Sequence, residues 1–426
     1  MIYVCSNGQS IVLAEPPTFL FFHPVTNHTM THTDTTNSTH TDDRHLARFH
    51  DTIHGLLDRV SHDFRTPLTV IKEYATLMQD ELVGPVTPSQ RDYLETINDR
   101  ADDLTTIVDN LLDAGKSAAG VLRTWRRAMD VAQVIRAVEG PLRRKATAKG
   151  TTLEIAVEDD LTAVFADTDQ LTRTVANLIT GILNSLEQPK VVRLAVTAGR
   201  SPSRVAIEVA VEEADVAPKT FSAVTNLLDQ SQPCDPTLAQ GNLLRFAMVR
   251  RLVDLHLGQI DIKSEADRIT FCLDLPIATP RAVLQAFVAH QATARAERST
   301  VKLAVAAIGS GSKSAAFVVD EFLQTSLGEG DLAIQIDPEH WLLLLLEGEC
   351  AANELLTQLE VSWTEISGDI QPNLLPAITW TDLGSHCLTN EVDRWTELIR
   401  STDRAGLSLP TPTMSSCCQT SEMTVV

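Results

Sequence analysis

The side chains best suited to nucleophilic chemistry in this 426-residue chain sit in one short run, Ser61-His62-Asp63-Phe64-Arg65-Thr66-Pro67-Leu68. A neutral imidazole is a competent nucleophile at about pH 7, because one ring nitrogen can attack an electrophile while the other keeps its proton. The neighbouring carboxylate, Asp63, is of the type that accepts a hydrogen bond from that second nitrogen and stabilises the imidazolium as it forms. Thr66 falls one helical turn after His62 and would share its face. A solvated surface histidine beside an accidental proline is the plainer reading of the run, and it leaves Pro67 without a reason.

The elements that must position these groups follow from the spacing of apolar residues. Leu46, Phe49, Ile53, Leu57, Val60, Phe64, Leu68, Ile71, Leu77 and Leu82 recur mostly three or four apart, the mark of one buried helical stripe. That helix should end at Gly84-Pro85, and Pro67 inside it should kink the axis by removing a hydrogen bond. A second helix should start with Thr87 or Ser89 as N-cap and carry its stripe from Tyr93 to Leu112, stopping near Gly115. Two antiparallel helices bury only one face each, and pairing two copies into a four-helix bundle would cover the rest.

The run from Ser61 to Leu68 closely resembles the H-box of histidine kinases. Gln90, Tyr93-Leu94, Ile97 and the stretch Ile107-Val108-Asp109-Asn110-Leu111-Leu112-Asp113 resemble the second helix of the same domain. The resemblance implies a dimerisation and phosphoacceptor hairpin over residues 45–118. It implies that His62 carries the phosphoryl group, that Asp63 serves as its acid/base partner, and that Thr66 orients a water for dephosphorylating a partner. The partner implied is the receiver domain of a response regulator. The chain itself would form a homodimer, or a heterodimer with another kinase.

Beyond Gly120 the pattern becomes mixed, with helices expected at 130–148, 167–187 and 241–256 and strands at 151–157, 191–198, 204–212, 259–264 and 268–275. Helices on one face of a mixed sheet make an α/β sandwich. Its order resembles the ATP-binding domain of histidine kinases over residues 119–277, which implies ATP and magnesium as cofactors. Asn177 matches the earlier asparagine of the family's N-box, but the ion-binding position falls on Gly181, with Asn184 one turn on as a partial substitute. Glu212 stands at the adenine-recognising loop, which reads Glu212-Glu213-Ala214-Asp215-Val216 and lacks both glycines. In the second glycine box, Gly241-Asn242-Leu243-Leu244-Arg245-Phe246, Leu243 and Arg245 replace glycines that let the backbone approach phosphate, although Arg245 offers charge. Phe221 matches the family's lid phenylalanine and equally suits a core position. No metal ligand set is assigned. These departures leave three readings open: a sensor histidine kinase with an unusual nucleotide site, a histidine phosphotransferase charged by another kinase, and a non-catalytic scaffold that binds receivers.

The last third reads as a helical linker at 278–298 and a ferredoxin-like βαββαβ domain at 299–400. Its strands are expected at 301–308, 332–336, 341–346 and 375–381 and its helices at 314–326 and 351–360. This order is similar to that of a diguanylate-cyclase domain, whose central hairpin carries Gly-Gly-Asp-Glu-Phe. The corresponding hairpin here, Asp337-Pro338-Glu339-His340-Trp341, has neither glycine, so cyclase activity is not expected. Residues 1–44 and 401–426 are expected to be disordered, their polar composition offering too little to bury. Either Met1 or Met30 could serve as the start.

A net charge of −21 argues against nucleic acid and anionic membrane surfaces as partners. Pro16, Pro17 and Pro24 interrupt the most apolar early stretch, so no membrane span is expected. Seven cysteines without a Cys-x-x-Cys spacing fit reduced thiols in a cytoplasmic protein.

Overall fold

A computed structural model describes residues 39–119, 122–185, 191–212, 218–230, 236–239, 241–265, 268–294, 300–309, 313–328, 330–346, 352–369 and 375–387. Helix α1 spans Thr39–Gln79 and continues through Pro67. It begins six residues inside the segment expected to be disordered; residues 1–38 lie outside the described residues. Helix α2, Pro88–Ala118, runs back along it, and of the two candidate caps Thr87 is the one used. The Thr87 hydroxyl accepts from the backbone N–H of Gln90, while the Gln90 side chain accepts from the N–H of Thr87 at 2.8 Å. Two donors orphaned at the helix start are thereby satisfied reciprocally.

The hairpin seam repeats every seven residues. Ser61, Leu68 and Ala75 are buried on α1, and Leu94 and Ala101 on α2. Beside the seam run three charged rungs with the same period: Asp58 with Lys116, Arg65 with Asp109, and Lys72 with Asp102. Exposed ion pairs of this kind each contribute little to stability, so the seam and the cap carry most of the hairpin's order. Much of its apolar surface stays uncovered, including Phe64, Ile71, Tyr74, Tyr93, Ile97 and Leu111.

The middle of the chain folds into an α/β unit: β1 (Arg127–Met129), α3 (Val131–Ala148), β2 (Thr152–Val157), β3 (Val164–Ala166), α4 (Thr168–Ser185), β4 (Val191–Ala198), β5 (Arg204–Glu212), α5 (Pro218–Leu228), α6 (Asn242–Leu255), β6 (Gln259–Ser264) and β7 (Arg268–Pro276). Five strands form a mixed sheet in the order β2-β4-β5-β7-β6, parallel only between β2 and β4. Strands β1 and β3 pair separately. Leu171, Val175, Leu178 and Ile182 of α4 pack on Val192, Leu194, Ile207 and Val209 of the sheet, so the core lies on one sheet face. Helix α6 is buried on two sides. Phe246, Val249 and Val253 face that core, while Leu244, Met248 and Leu252 meet Ala114 of α2 and Leu122. An even spread of apolar residues around a helix is the expected signature of such double burial.

Helix α7 (Pro280–Ala294), expected within a linker, instead supplies a layer of core. Beyond it come β8 (Thr300–Ile308), α8 (Lys313–Ser326), β9 (Leu332–Asp337), β10 (His340–Leu346), α9 (Ala352–Asp369) and β11 (Ile378–Cys387). The sheet runs β11-β8-β10-β9 and is antiparallel throughout. The expected element order is present, with α9 running on to Asp369, past the end its sequence pattern suggested, and the last strand shifted toward the C-terminus. One face packs on α8 and α9 through Trp341, Leu343, Phe322 and Trp363; the other packs on α7 through Phe287, Leu303, Leu342 and Leu344. Burial on both faces explains the unbroken apolar run Trp341–Leu345, which no half-solvated strand would carry.

The capping box gives a direct stability test. Thr87→Ala should lower unfolding free energy by about 1 kcal/mol, read as a lower denaturant midpoint at unchanged slope.

Candidate functional site

His62 lies midway along α1 on the solvent side of the seam, its side chain 80% exposed beside an Asp63 side chain 82% exposed. Nδ1 of His62 stands 3.6 Å from Oδ1 of Asp63, one small rotation short of a hydrogen bond. Thr66 donates its hydroxyl proton to the carbonyl of His62 at 2.9 Å, so its oxygen retains acceptor capacity toward solvent. Next to it, Arg65 grips Asp109 through Nε and Nη2, fixing α1 against α2 at the level of the imidazole. Imidazole, carboxylate and hydroxyl therefore share one open helix face. That arrangement suits a nucleophile approached by a large partner.

The nucleotide boxes are placed differently from expectation. Asn177 is buried on α4, and its amide pairs with that of Asn110 on α2: each donates to the other's oxygen, at 2.8 and 3.0 Å. Arg245 adds a third bond, donating to Oδ1 of Asn177 at 3.2 Å, and its guanidinium also faces Asp103 of α2. Burial pulls the Arg245 pKa down, and Asp103 opposes that shift. Asp103 in turn holds Lys145, Asp113 of α2 holds Arg173 of α4, and Arg251 donates to Ser117. Burial raises the Asp113 carboxyl against the pull of Arg173. Two of the residues expected at the nucleotide boxes, Asn177 and Arg245, thus hold the hairpin.

A cleft of about 480 Å³ remains between the two, lined by Arg100, Asp103, Leu104, Ile107 and Asn110 of α2 and by Asn184, Gly241, Asn242, Leu244 and Arg245. Asn184 is exposed at its edge. Leu243 is turned away, packed on the α/β core. Gly181 faces the ring of Phe246: a Cβ there would lie 3.0 to 3.3 Å from three ring carbons, so a ligating side chain has no room. Its carbonyl accepts instead from Asn242 at 2.8 Å.

Glu212 does not join this group. Val205, Ile207, Val209 and Val211 face the core, so strand alternation turns Glu212 to the opposite sheet face, where it pairs with Arg193. The rest of that loop, 213–217, lies outside the described residues. Phe221 is partly buried against the α/β core. Among the described residues no cluster of three or more His, Cys, Asp or Glu could hold a metal ion. Among the described residues Gly181 is blocked, Asn177 engaged and Glu212 averted, so the expected ion-binding position offers no side-chain ligand for magnesium.

Residues 54–120, which include His62, match the family described as the His Kinase A (phospho-acceptor) domain. This hairpin is a histidine-kinase phospho-acceptor domain. The longer segment is similar to the histidine protein kinase DivJ of Caulobacter vibrioides, 26% identical over 208 residues, covering 49% of this chain and 34% of that protein. It is also similar to the sensor protein KdpD of Mycobacterium tuberculosis, 32% identical over 166 residues, covering 38% of this chain and 19% of the relative. The circadian input-output histidine kinase CikA of Synechococcus elongatus is 25% identical over 229 residues, covering 52% of this chain and 30% of its own length. The chain thus spans about a third or less of each of these relatives. The crystal structure of full-length ShkA in complex with AMPPNP aligns with 52% of this chain and 46% of its own, at 24% identity and a TM-score of 0.38.

Within the phospho-acceptor hairpin, reasoning from sequence missed the docking residues Asp103, Asn110 and Asp113. No local pattern marks Asn110, because it is buried against Asn177 of α4, 67 residues away along the chain.

The packing at Gly181 is open to test. Gly181→Asn should destabilise the fold by about 1–3 kcal/mol through overpacking, with no recovery on adding magnesium. The same change in a Phe246→Ala background should cost less, and thermal unfolding of the four proteins checks the coupling.

Proposed function

We propose that this chain acts in a two-component phosphorelay, with His62 receiving a phosphoryl group from the aspartyl phosphate of a receiver domain and returning it to such an aspartate. The observation that carries this reading is the fully accessible imidazole beside Asp63, on a hairpin whose own α/β unit has given its nucleotide boxes to packing. The ring nitrogen remote from Asp63 attacks phosphorus, a P–N bond forms, and the bond to the aspartate oxygen breaks. The aspartate leaves as carboxylate. Asp63 accepts the hydrogen bond of the protonated Nδ1 and offsets the positive charge on the phosphorylated ring.

Thr66, one turn from His62, would orient water on the receiver's phosphoaspartate. Its free lone pairs support this role, as does its place on the same face. The uncovered apolar stripe on both helices supports a homodimer in which two hairpins make a four-helix bundle. For the C-terminal unit, the βαββαβ order and the strand order β11-β8-β10-β9 support a ferredoxin-like reading. Among the described residues no helix is long and apolar enough to cross a membrane. A second reading, autokinase activity with ATP, draws support from the open cleft beside Asn184 and Arg245.

Labelling separates these readings. Phosphorylated receiver domain should label the protein, and the His62→Gln variant should stay unlabelled. Radiolabelled ATP with magnesium should leave both blank; labelling of His62 by ATP alone would instead establish the autokinase. No label from either donor on folded protein would reduce the chain to a scaffold. Thr66→Ala should slow receiver dephosphorylation by about tenfold, roughly the contribution of one well-placed water contact, while leaving labelling of His62 intact.

A further inference from the structure

The C-terminal domain takes no part in the transfer just described, yet it grips the segment that leaves the hairpin. We propose that this domain is an internal regulator, a clasp on residues 122–127 that sets whether α2 stays docked on the α/β unit.

The segment is anchored at nearly every residue. Leu122 is buried with Ala114 of α2 and with Met248 and Leu252 of α6. Arg123 donates to the carbonyl of Thr325 at the end of α8. The indole of Trp125 meets Phe317 of α8 edge-on at 5.1 Å and donates Nε1–H to Asp320 at 3.4 Å. Asp320 also accepts from Nε1 of Trp341 at 2.9 Å, so one carboxylate joins the segment to the centre of the C-terminal core. The backbone N–H of Trp125 donates to Asp167, whose other oxygen caps the start of α4. Arg126 is buried and donates to the carbonyl of Leu255 at the end of α6 and to that of Asp331 in the C-terminal domain, at 3.0 Å each.

The route between the two grips is short. The docked residues of α2 end at Ser117, bound by Arg251, and the first contact to the C-terminal domain is at Arg123. Leu122, beside Arg123, packs on Ala114 of α2 itself, so the clasped segment and the docked helix share an apolar contact. A shift of α8 relative to the α/β unit therefore pulls on the end of α2 that carries Asn110, Asp113 and Ser117. Those contacts are confined to one side of the helix, so α2 can lift from them without unfolding either core. The same domain packs a whole sheet face on α7, in a cluster that also takes in Phe165 and Leu257 of the α/β unit, so it is not a loose appendage.

Hydrogen exchange on the full chain, followed by mass spectrometry, tests the proposal without requiring phosphorylation of His62. Trp125→Ala should raise exchange of residues 107–118 by about tenfold, as local opening would, while β4–β5 and β9–β10 keep their protection. Asp320→Asn, which retains a carbonyl acceptor for one indole, should show only part of the effect. Arg123→Ala, at an exposed position, gives the same test if the tryptophan variant folds poorly. Unchanged exchange of 107–118 in a folded variant overturns the proposal. Loss of protection in β9–β10 in step with α2 also overturns it, because the segment would then be a structural strut alone.

Discussion

The arrangement of the first two-thirds of the chain rests on one pair of side-chain amides. Asn110 and Asn177 are shielded from water, and each satisfies the other's donor and acceptor, with Arg245 adding a further donor to Asn177. A buried amide left without a partner costs about 1–3 kcal/mol. Separating the hairpin from the α/β unit therefore requires water to replace every one of these bonds at once. Of the charged contacts around the pair, Asp103 with Lys145 is partly exposed and orients the helix more than it holds it, whereas Asp113 with Arg173 is buried. Specific docking through a polar centre differs from simple burial, since it accepts one register of α2 and rejects its neighbours.

The departures in the N-box and in the second glycine box each have a packing task. Gly181 admits the Phe246 ring, Leu243 joins the α/β core, Leu244 meets α2, and Arg245 reaches Asn177. A glycine-rich loop keeps backbone N–H groups open for phosphate; side chains in its place close that option and gain contacts.

The parts of this fold readable from sequence were those governed by local period. Strands β4, β5 and β6 fall within the residues their alternation indicated, and the hairpin helices follow their apolar stripes. Strands β1 and β3 have three residues each, too few for any period to show, and they exist because they pair with each other. Glu212 was misplaced although the rule that corrects it was available: four valine and isoleucine positions in alternation assign the glutamate to the other face. Asn110 was beyond reach for a different reason. Its partner lies 67 residues away, and only the folded chain brings the two amides together.

The rungs beside the hairpin seam have a consequence for how such a hairpin can move. A seam that repeats every seven residues offers no resistance in itself to sliding by one repeat. Its charges do, because their signs are not periodic: Asp58 faces Lys116, while Arg65 and Lys72 face Asp109 and Asp102. Displacement by one repeat in one direction sets Asp58 against Asp109, and in the other sets Arg65 against Lys116. The ladder works as a ratchet tooth against translation, so any message that travels along these helices is written in tilt or rotation about a fixed register.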